Sequence, residues 1–329
     1  MGEILNFFTG HESIPIEIST QQISSYFKLI FRDWCWNSGE IKEYVSYCEK
    51  QLKKKNGNVL ILGSGAGRLS YDLANSLSHL NFYSLDHNPF LTFSAEKITQ
   101  GELIELYDYE LFPKELQLTS QKYKIQYPKL KHNNHQFILS TFPNLPFDLN
   151  SFDAIICPWF LDILDMDFED ALDHTKSYLK EDGELIFIGP ANIHHSDLAL
   201  QYTKEEIIQA TGHYFSNINS EEKVIDYLTN PIASQNRAES VLLMTAKGKK
   251  KAKASNPLKL KAQKLKFSEK LIHYKNTNEV FYRVLKHINQ DITLDELTTI
   301  VKDEFKFNDS EALFYARTII NKIETDLEV

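Results

Sequence analysis

The 329-residue chain is 42% hydrophobic and carries a formal net charge of −9, so it can bury a full core and has the length for one large domain with a smaller appendage. The acidic balance argues against a whole-molecule nucleic-acid binder, because phosphate contacts need a basic footprint. Cys35, Cys48 and Cys157 form neither a C-x-x-C pair nor an even framework, and no segment approaches the length of a membrane span; a reduced, cytoplasmic setting without a metal site is expected.

From about residue 19 to 55, Ile23, Phe27, Ile30, Phe31 and Trp34 recur at three- and four-residue steps without an interrupting proline. This predicts a helical segment folded over the adjoining domain. Next comes the apolar run Asn58-Val-Leu-Ile-Leu62, then Gly63-Ser64-Gly65-Ala66-Gly67 and a helical pattern through Ala74. A strand that breaks into glycines and re-forms as a helix offers bare backbone N–H groups at a helix N-terminus, which suits a nucleotide-like ligand. Leu69 stands where a dinucleotide fingerprint would place its third glycine, so the close pyrophosphate approach of a NAD site is not provided and an adenosyl cofactor is the better match. A second apolar run, Phe82 to Asp86, ends in a carboxylate about twenty residues on, where it can accept both hydroxyls of a ribose.

Between the second and third strands lies an insertion, about 101 to 134, with Tyr107, Tyr109, Phe112, Tyr123 and Tyr127 among charges. It is too long for a bare connection and is a candidate lid. Alternation of strand and helix continues to about Lys247, with a last strand at Glu239 to Ala246, which implies a mainly parallel sheet covered on both faces. Lys247 to Lys266 contains no acid and reads as an exposed basic linker, either a solvated tether or a strip for RNA or an acidic peptide. Beyond it, Lys270 to Tyr274 fits a strand. Three helical patterns come after it, two of them opened by the cap-like Thr293-Leu-Asp-Glu296 and Asn308-Asp-Ser-Glu311. The expected organisation is therefore an N-terminal helical segment (1–56), a cofactor-binding α/β core (57–246), a linker (247–266) and a small helical domain (267–329).

The stretches Leu145 to Cys157 and Ser177 to Gly189 resemble the fourth strand, and the helix-turn-fifth strand, of class I S-adenosylmethionine-dependent methyltransferases. Phe31-Arg-Asp-Trp34 ahead of the glycine loop, Pro158-Trp-Phe-Leu-Asp162 after the fourth strand and Gly189-Pro-Ala-Asn-Ile-His194 after the fifth resemble, more narrowly, the carnosine N-methyltransferase family over about residues 20 to 246. The resemblance implies a Rossmann-like α/β fold, S-adenosylmethionine as cofactor, and methyl transfer to an imidazole nitrogen of a histidine-containing dipeptide. It further implies that Arg32 reaches the cofactor's carboxylate, that Asp162 holds the ring nitrogen bearing the proton, that His194 orients substrate or relays a proton, and that Trp159 and Phe160 form an aromatic wall.

Other readings of these residues stand beside those roles. Asp162 also suits a helix N-cap, Arg32 a buried partner for Asp33, and His195 competes with His194. Where the family has an acid for the adenine amino group, this chain has Leu139-Ser-Thr-Phe142, so Thr141, Phe142 or a backbone carbonyl must line that site. The family's substrate-contacting tyrosines before the last strand are replaced by Gln235-Asn-Arg-Ala-Glu239, leaving Tyr202 and Tyr227 as candidates. The C-terminal pattern resembles PqqD-like peptide-binding modules of winged-helix type, and equally suits a dimerisation or capping domain. The resulting expectation is an imidazole N-methyltransferase acting on a histidine-containing peptide or small molecule. Its alternatives are a class I methyltransferase for an unrelated small molecule or RNA, and a catalytically silent cofactor-binding adaptor.

Overall fold

The computed structural model describes residues 20–143, 145–164, 166–194, 201–250, 264–265, 282–288 and 290–309, together with 312, 313, 315–317, 319, 320 and 323. The chain divides into two compact units, one ending at Lys250 and the other running from Lys251. The first contains α1 (Thr20–Phe31), a π-helical turn (Arg32–Trp36), α2 (Glu40–Gln51), β1 (Gly57–Leu62), α3 (Arg68–Ser76), β2 (Leu80–Asp86), α4 (Pro89–Thr99), β3 (Ile104–Tyr109), β4 (Ser120–Ile125), β5 (His135–Leu139), β6 (Phe152–Pro158), α5 (Phe168–Tyr178), β7 (Leu179–Pro190), α6 (Lys204–Tyr214), β8 (Phe215–Tyr227) and β9 (Arg237–Lys249).

Seven strands form one sheet in the order β5-β2-β1-β6-β7-β9-β8. Strands β5, β2, β1, β6 and β7 run parallel, β9 is antiparallel to β7, and β8 is antiparallel to β9. This is the mainly parallel, Rossmann-like α/β architecture expected from the alternating pattern. Period-2 geometry divides β1 between two cores. Leu60 and Leu62 point into the layer with Phe168, Leu172 and Phe187. Val59 and Ile61 face Tyr44, Cys48, Leu73 and Ile186. Burial on both faces is why β1 reads as a continuous apolar run.

The sheet reverses its winding between β1 and β6, and the carboxyl ends of strands at such a switch point are where α/β folds form a ligand crevice. Three irregular segments close over that end. The N-terminal helical pattern is broken by the π-helical turn, which ends at Asn37 with a φ of 49°, and α1 with this turn packs Ile30 and Trp34 on Ala66, Tyr71 and Leu91. The candidate lid is a β-hairpin of β3 and β4, a two-stranded sheet of its own. It is laced to the β8–β9 loop: Lys114 N donates to Ile232 O at 2.8 Å, Ser234 N to Phe112 O at 2.8 Å, and Asn230 Nδ2 to Asp108 Oδ2 at 3.2 Å. Strand β8 carried little signal because it is an edge strand with few buried positions, so neither face needs an apolar alternation.

The second unit has a two-residue antiparallel pair of β10 (Lys264–Leu265) and β11 (Ile292–Thr293), a short α7 (Tyr282–Leu285) and α8 (Leu294–Phe305). Thr293 and Glu296 make the capping box expected from their spacing. Leu285, Ile288, Leu297, Val301, Ala316 and Ile320 share its core. The strand expected at Lys270 to Tyr274 and most of the linker lie outside the described residues.

At Gly67, a φ of 85° combines with crowding: a Cβ there would lie 2.8 Å from Phe137 and 2.9 Å from Ala95. Gly67→Ala should therefore destabilise the first unit by about 2–5 kcal/mol, from left-handed strain and overpacking together. At Gly65 a Cβ would meet nothing nearer than Arg32 Nη2 at 3.6 Å, so Gly65→Ala should cost only about 1–2 kcal/mol. Denaturant midpoints measure both, and equal losses would contradict this division between packing and ligand-facing glycines.

Candidate functional site

The glycine loop leaves β1 at the crevice with Gly63, Gly65 and Gly67 all at positive φ. A Cβ on Gly63 would lie 2.7 Å from the Phe160 ring, so the glycine lets the loop after β1 meet the loop after β6. Ser64 is buried, and its N–H and that of Gly63 both donate to Leu85 O. Asp86, at the end of β2, is 7% exposed and accepts Gly65 N at 2.9 Å on one oxygen and Asn88 N at 2.9 Å on the other. Burial raises its pKa and these backbone donors oppose the rise. His87 also acts on this carboxylate, through its backbone N–H and through Nδ1, 3.7 Å from Oδ1.

The π-helical turn reaches over this loop. Trp34 Nε1 donates to Ala66 O at 2.7 Å, fixing the turn against the glycines. Arg32 lies above Gly65, its Nε pairing with Asp33 at 2.7 Å and its Nη1 3.6 Å from Glu40 Oε1. Burial opposes the charge of Arg32, and the Asp33 and Glu40 carboxylates outweigh that effect and hold it protonated. Arg32 is thus a partner of Asp33 and, through Nη2, a neighbour of the loop as well. Glu40, in the first turn of α2, is buried. Its Oε2 accepts Leu228 N at 2.9 Å, and its Oε1 has no hydrogen-bond partner.

After β6, Trp159 adopts a φ of 50° and donates Nε1 to the Tyr44 hydroxyl at 2.9 Å. Phe160 is 7% exposed and belongs to the core. It lies beneath Gly63, with Phe142 edge-on at 5.5 Å, so it shapes the loop more than it offers an open face. Asp162 comes next within a short 3₁₀ turn, Leu161–Ile163. The N-cap of α5 is Asp167, which accepts Glu169 N and Asp170 N; Asp162 does not cap that helix. Its Oδ1 is sealed from solvent without a hydrogen-bond partner, and burial pushes its pKa from 3.8 up to about 6.

The remaining predicted residues separate into those brought to Asp162 and those spent elsewhere. Tyr227 packs against Trp159 with ring centroids 4.2 Å apart and planes tilted by 41°, and Arg237 lies 4.7 Å over the Tyr227 ring. Burial raises the Tyr227 pKa, and the charges of Arg32, Glu40, Asp162 and Arg237 act on it in opposite senses. Tyr202 bridges to Ile193 and gives its hydroxyl to Asp167 at 2.8 Å; it ties down the loop after β7. His194 is exposed at the start of that loop, and His195 lies outside the described residues. Thr141 is exposed after β5, and Ser140 N donates to Asp86 O at 3.1 Å. Among the described residues no group of three or more His, Cys, Asp or Glu is arranged to hold a metal.

Glu40, Tyr44 and Arg237 were not legible as site residues. Glu40 reads as an ordinary first-turn acid, and Tyr44 as a core position of α2. Arg237 sits in the stretch where the tyrosines are missing, and its cation now covers Tyr227. Arg32, the unpaired Oε1 of Glu40, the bare Gly65 and the Asp86 carboxylate fit a zwitterionic, ribose-bearing cofactor. The carboxylate on Asp162 also has a cost. Its folded pKa lies above the ordinary value, so the folded state binds the extra proton between about pH 4 and 6, and stability falls as pH rises through that window. Asp162→Asn should remove this cost and stabilise the protein by about 1–3 kcal/mol at pH 7, with no gain at pH 4. Denaturation at the two pH values tests it; destabilisation at pH 7 would show that the charge is structurally required.

A family model described as carnosine N-methyltransferase matches residues 10–244. Solved structures similar to the chain include the YcgJ protein of Bacillus subtilis (13% identity, 64% of this chain, 100% of that one, TM-score 0.43). A SAM-dependent methyltransferase of Aquifex aeolicus matches at 17% identity over 67% of this chain and 97% of that one, TM-score 0.41. A SAM-dependent methyltransferase of Thermotoga maritima, described as a possible histamine N-methyltransferase, matches at 12% identity over 75% and 100%, TM-score 0.41. No curated protein matches the chain significantly. With most of its length matched by that one family model, the chain belongs to the carnosine N-methyltransferase family and is an S-adenosylmethionine-dependent methyltransferase.

Proposed function

We propose that the chain methylates an imidazole nitrogen of a histidine-containing peptide or small molecule. The observation that carries this reading is the sealed, unpaired Oδ1 of Asp162 together with the Trp159–Tyr227 aromatic pair. A neutral imidazole is already a competent nucleophile at one nitrogen, so the protein's task is to select its tautomer, orient it and exclude water. S-adenosylmethionine, when bound, supplies an electrophilic methyl group. Asp162 accepts the N–H of the ring, leaving the opposite nitrogen unprotonated, and its charge stabilises the methylated imidazolium. Trp159 and Tyr227 supply aromatic faces for a ring that gains positive charge. His194 orients the substrate from the loop after β7. On the cofactor side Arg32 takes the carboxylate, Asp86 the ribose hydroxyls, and Thr141 with Phe142 borders the adenine.

We take the unit from Lys251 as the recruiting or partner-binding part of the molecule. The loss of the family tyrosines at Gln235 to Glu239 favours a substrate other than free carnosine. Mass spectrometry of histidine, carnosine and short histidine peptides after incubation with S-adenosylmethionine tests the reading. Methylation on the imidazole ring of at least one of them is expected; methylation only of other atoms or other substrates would overturn it.

Two sets of variants probe the site. Asp162→Asn should lower turnover by about 10²–10⁴-fold while leaving S-adenosylhomocysteine affinity intact. The pH profile gives a sharper signature, since productive encounter needs both Asp162 ionised, above about pH 6, and a substrate imidazole neutral, above about pH 6.5. Log kcat/KM in the wild type should fall with a slope approaching two on the acid side, and with a slope of one in Asp162→Asn; identical slopes would remove Asp162 from the reaction. Asp86→Ala should weaken S-adenosylmethionine and S-adenosylhomocysteine together by about 1.5–3 kcal/mol per lost charge-assisted hydrogen bond, measured by calorimetry. Unchanged affinity would take Asp86 out of the ribose site.

A further inference from the structure

Asp33, Arg32 and Glu40 form a buried ionic cluster whose side chains are 1%, 11% and 0% exposed. With all three groups ionised it holds two carboxylates against one guanidinium, a net charge of −1 that the burial of Glu40 works against. The guanidinium is shared unequally. Nε bonds Asp33 at 2.7 Å, whereas Nη1 stays 3.6 Å from Glu40 Oε1, beyond hydrogen-bond length. Glu40 Oε2 accepts Leu228 N at 2.9 Å, Tyr44 is a further side-chain hydrogen-bond partner of the carboxylate, and Oε1 is buried with no close hydrogen bond of its own. A buried carboxylate oxygen left in this state is costly and calls for a cationic donor.

Such a donor belongs to the ligand expected beside the cluster. Arg32 Nη2 stands over Gly65, where an added Cβ would meet only that nitrogen, at 3.6 Å, and the cofactor's methionine end is a zwitterion. Its carboxylate alone would raise the buried charge of the cluster from −1 to −2, whereas its carboxylate and ammonium together leave the balance unchanged and satisfy the unpaired acceptor. We propose that Glu40 recognises the α-ammonium of the cofactor's amino-acid end, opposite Arg32, which takes the α-carboxylate. The same residue then couples cofactor to substrate wall, because its other oxygen holds the backbone just beyond Tyr227. This assignment rests on Arg32 holding the cofactor's carboxylate.

The test uses two ligands that share adenosine and sulfur but differ at this end. S-adenosylhomocysteine carries the zwitterion and methylthioadenosine lacks it. Calorimetry on the full-length wild type should show a strong preference for S-adenosylhomocysteine. Glu40→Gln, nearly isosteric and still able to accept Leu228 N–H, should reduce that preference by about ten- to a hundredfold while leaving methylthioadenosine affinity unchanged, the effect of losing one charged hydrogen bond. An unchanged preference, or equal losses for both ligands, would overturn the proposal, the latter marking Glu40 as structural. Should Glu40→Gln melt early, Glu40→Asp, which retracts the same charge, is read by the same ratio. Arg32→Lys separates the two assignments: a preference lost there but kept in Glu40→Gln would leave Arg32 in place and remove Glu40.

Discussion

The contact that the site depends on is the approach of the Gly63 backbone to the Phe160 ring, where any side chain on residue 63 would overlap the aromatic carbon at 2.7 Å. It brings together the turns after β1 and β6 at the point where the sheet changes direction, and a crevice at such a switch point is where α/β folds hold ligands. One side of the crevice is then bare backbone capped by Asp86. The other begins two residues after Phe160 with Asp162. Close packing transmits this constraint outward, since Phe160 in turn carries Phe142 and the Trp159 before it carries Tyr44 and Tyr227.

Around this contact the protein gathers carboxylates of which only Asp33 is closely paired with a cation by the fold itself. Asp33, Glu40 and Asp86 are buried, Asp162 has a sealed oxygen, and Arg32 is the cation set among them. Burial raises the proton affinity of Glu40, Asp86 and Asp162. An arrangement that costs the apo protein stability is characteristic of a binding site, because ligand charges and donors arriving later relieve it. The N-terminal turn, the hairpin and the β8–β9 loop surround the crevice through Trp36, Asp108 and Asn230, which share hydrogen bonds on Asp108 Oδ2.

Local pattern carried much of this architecture into the sequence. A doubly buried strand must be apolar throughout, a tight loop at positive φ must be glycine, and a capping box has fixed spacing; hence β1, the glycine loop, the acid ending β2 and the start of α8 were readable. Contacts between distant segments were not. Glu40 meets Leu228 across 188 positions and Trp34 meets Ala66 across 32, and nothing in either neighbourhood marks the partner. The N-terminal helical periodicity likewise concealed the π-helical turn, because apolar spacing alone does not register the extra residue in a turn. The insertion showed its tyrosines but not its hairpin, since Tyr107 and Tyr109 are largely exposed and impose no burial pattern. No described helix is long and apolar enough to cross a membrane, in keeping with the absence of a long apolar run.

On the proposed reading Asp162, half-buried and with one oxygen sealed and unpaired, awaits an imidazole that becomes a cation. Carboxyl-carbon NMR titration of Asp162 in the S-adenosylhomocysteine complex, with and without a methylated histidine product, measures this directly. An elevated pKa near 6 is expected without product, with a fall of about one to three units when the methylimidazolium binds, the size of effect an opposite charge within a few ångströms produces. An Asp162 pKa that does not move on product binding would contradict it.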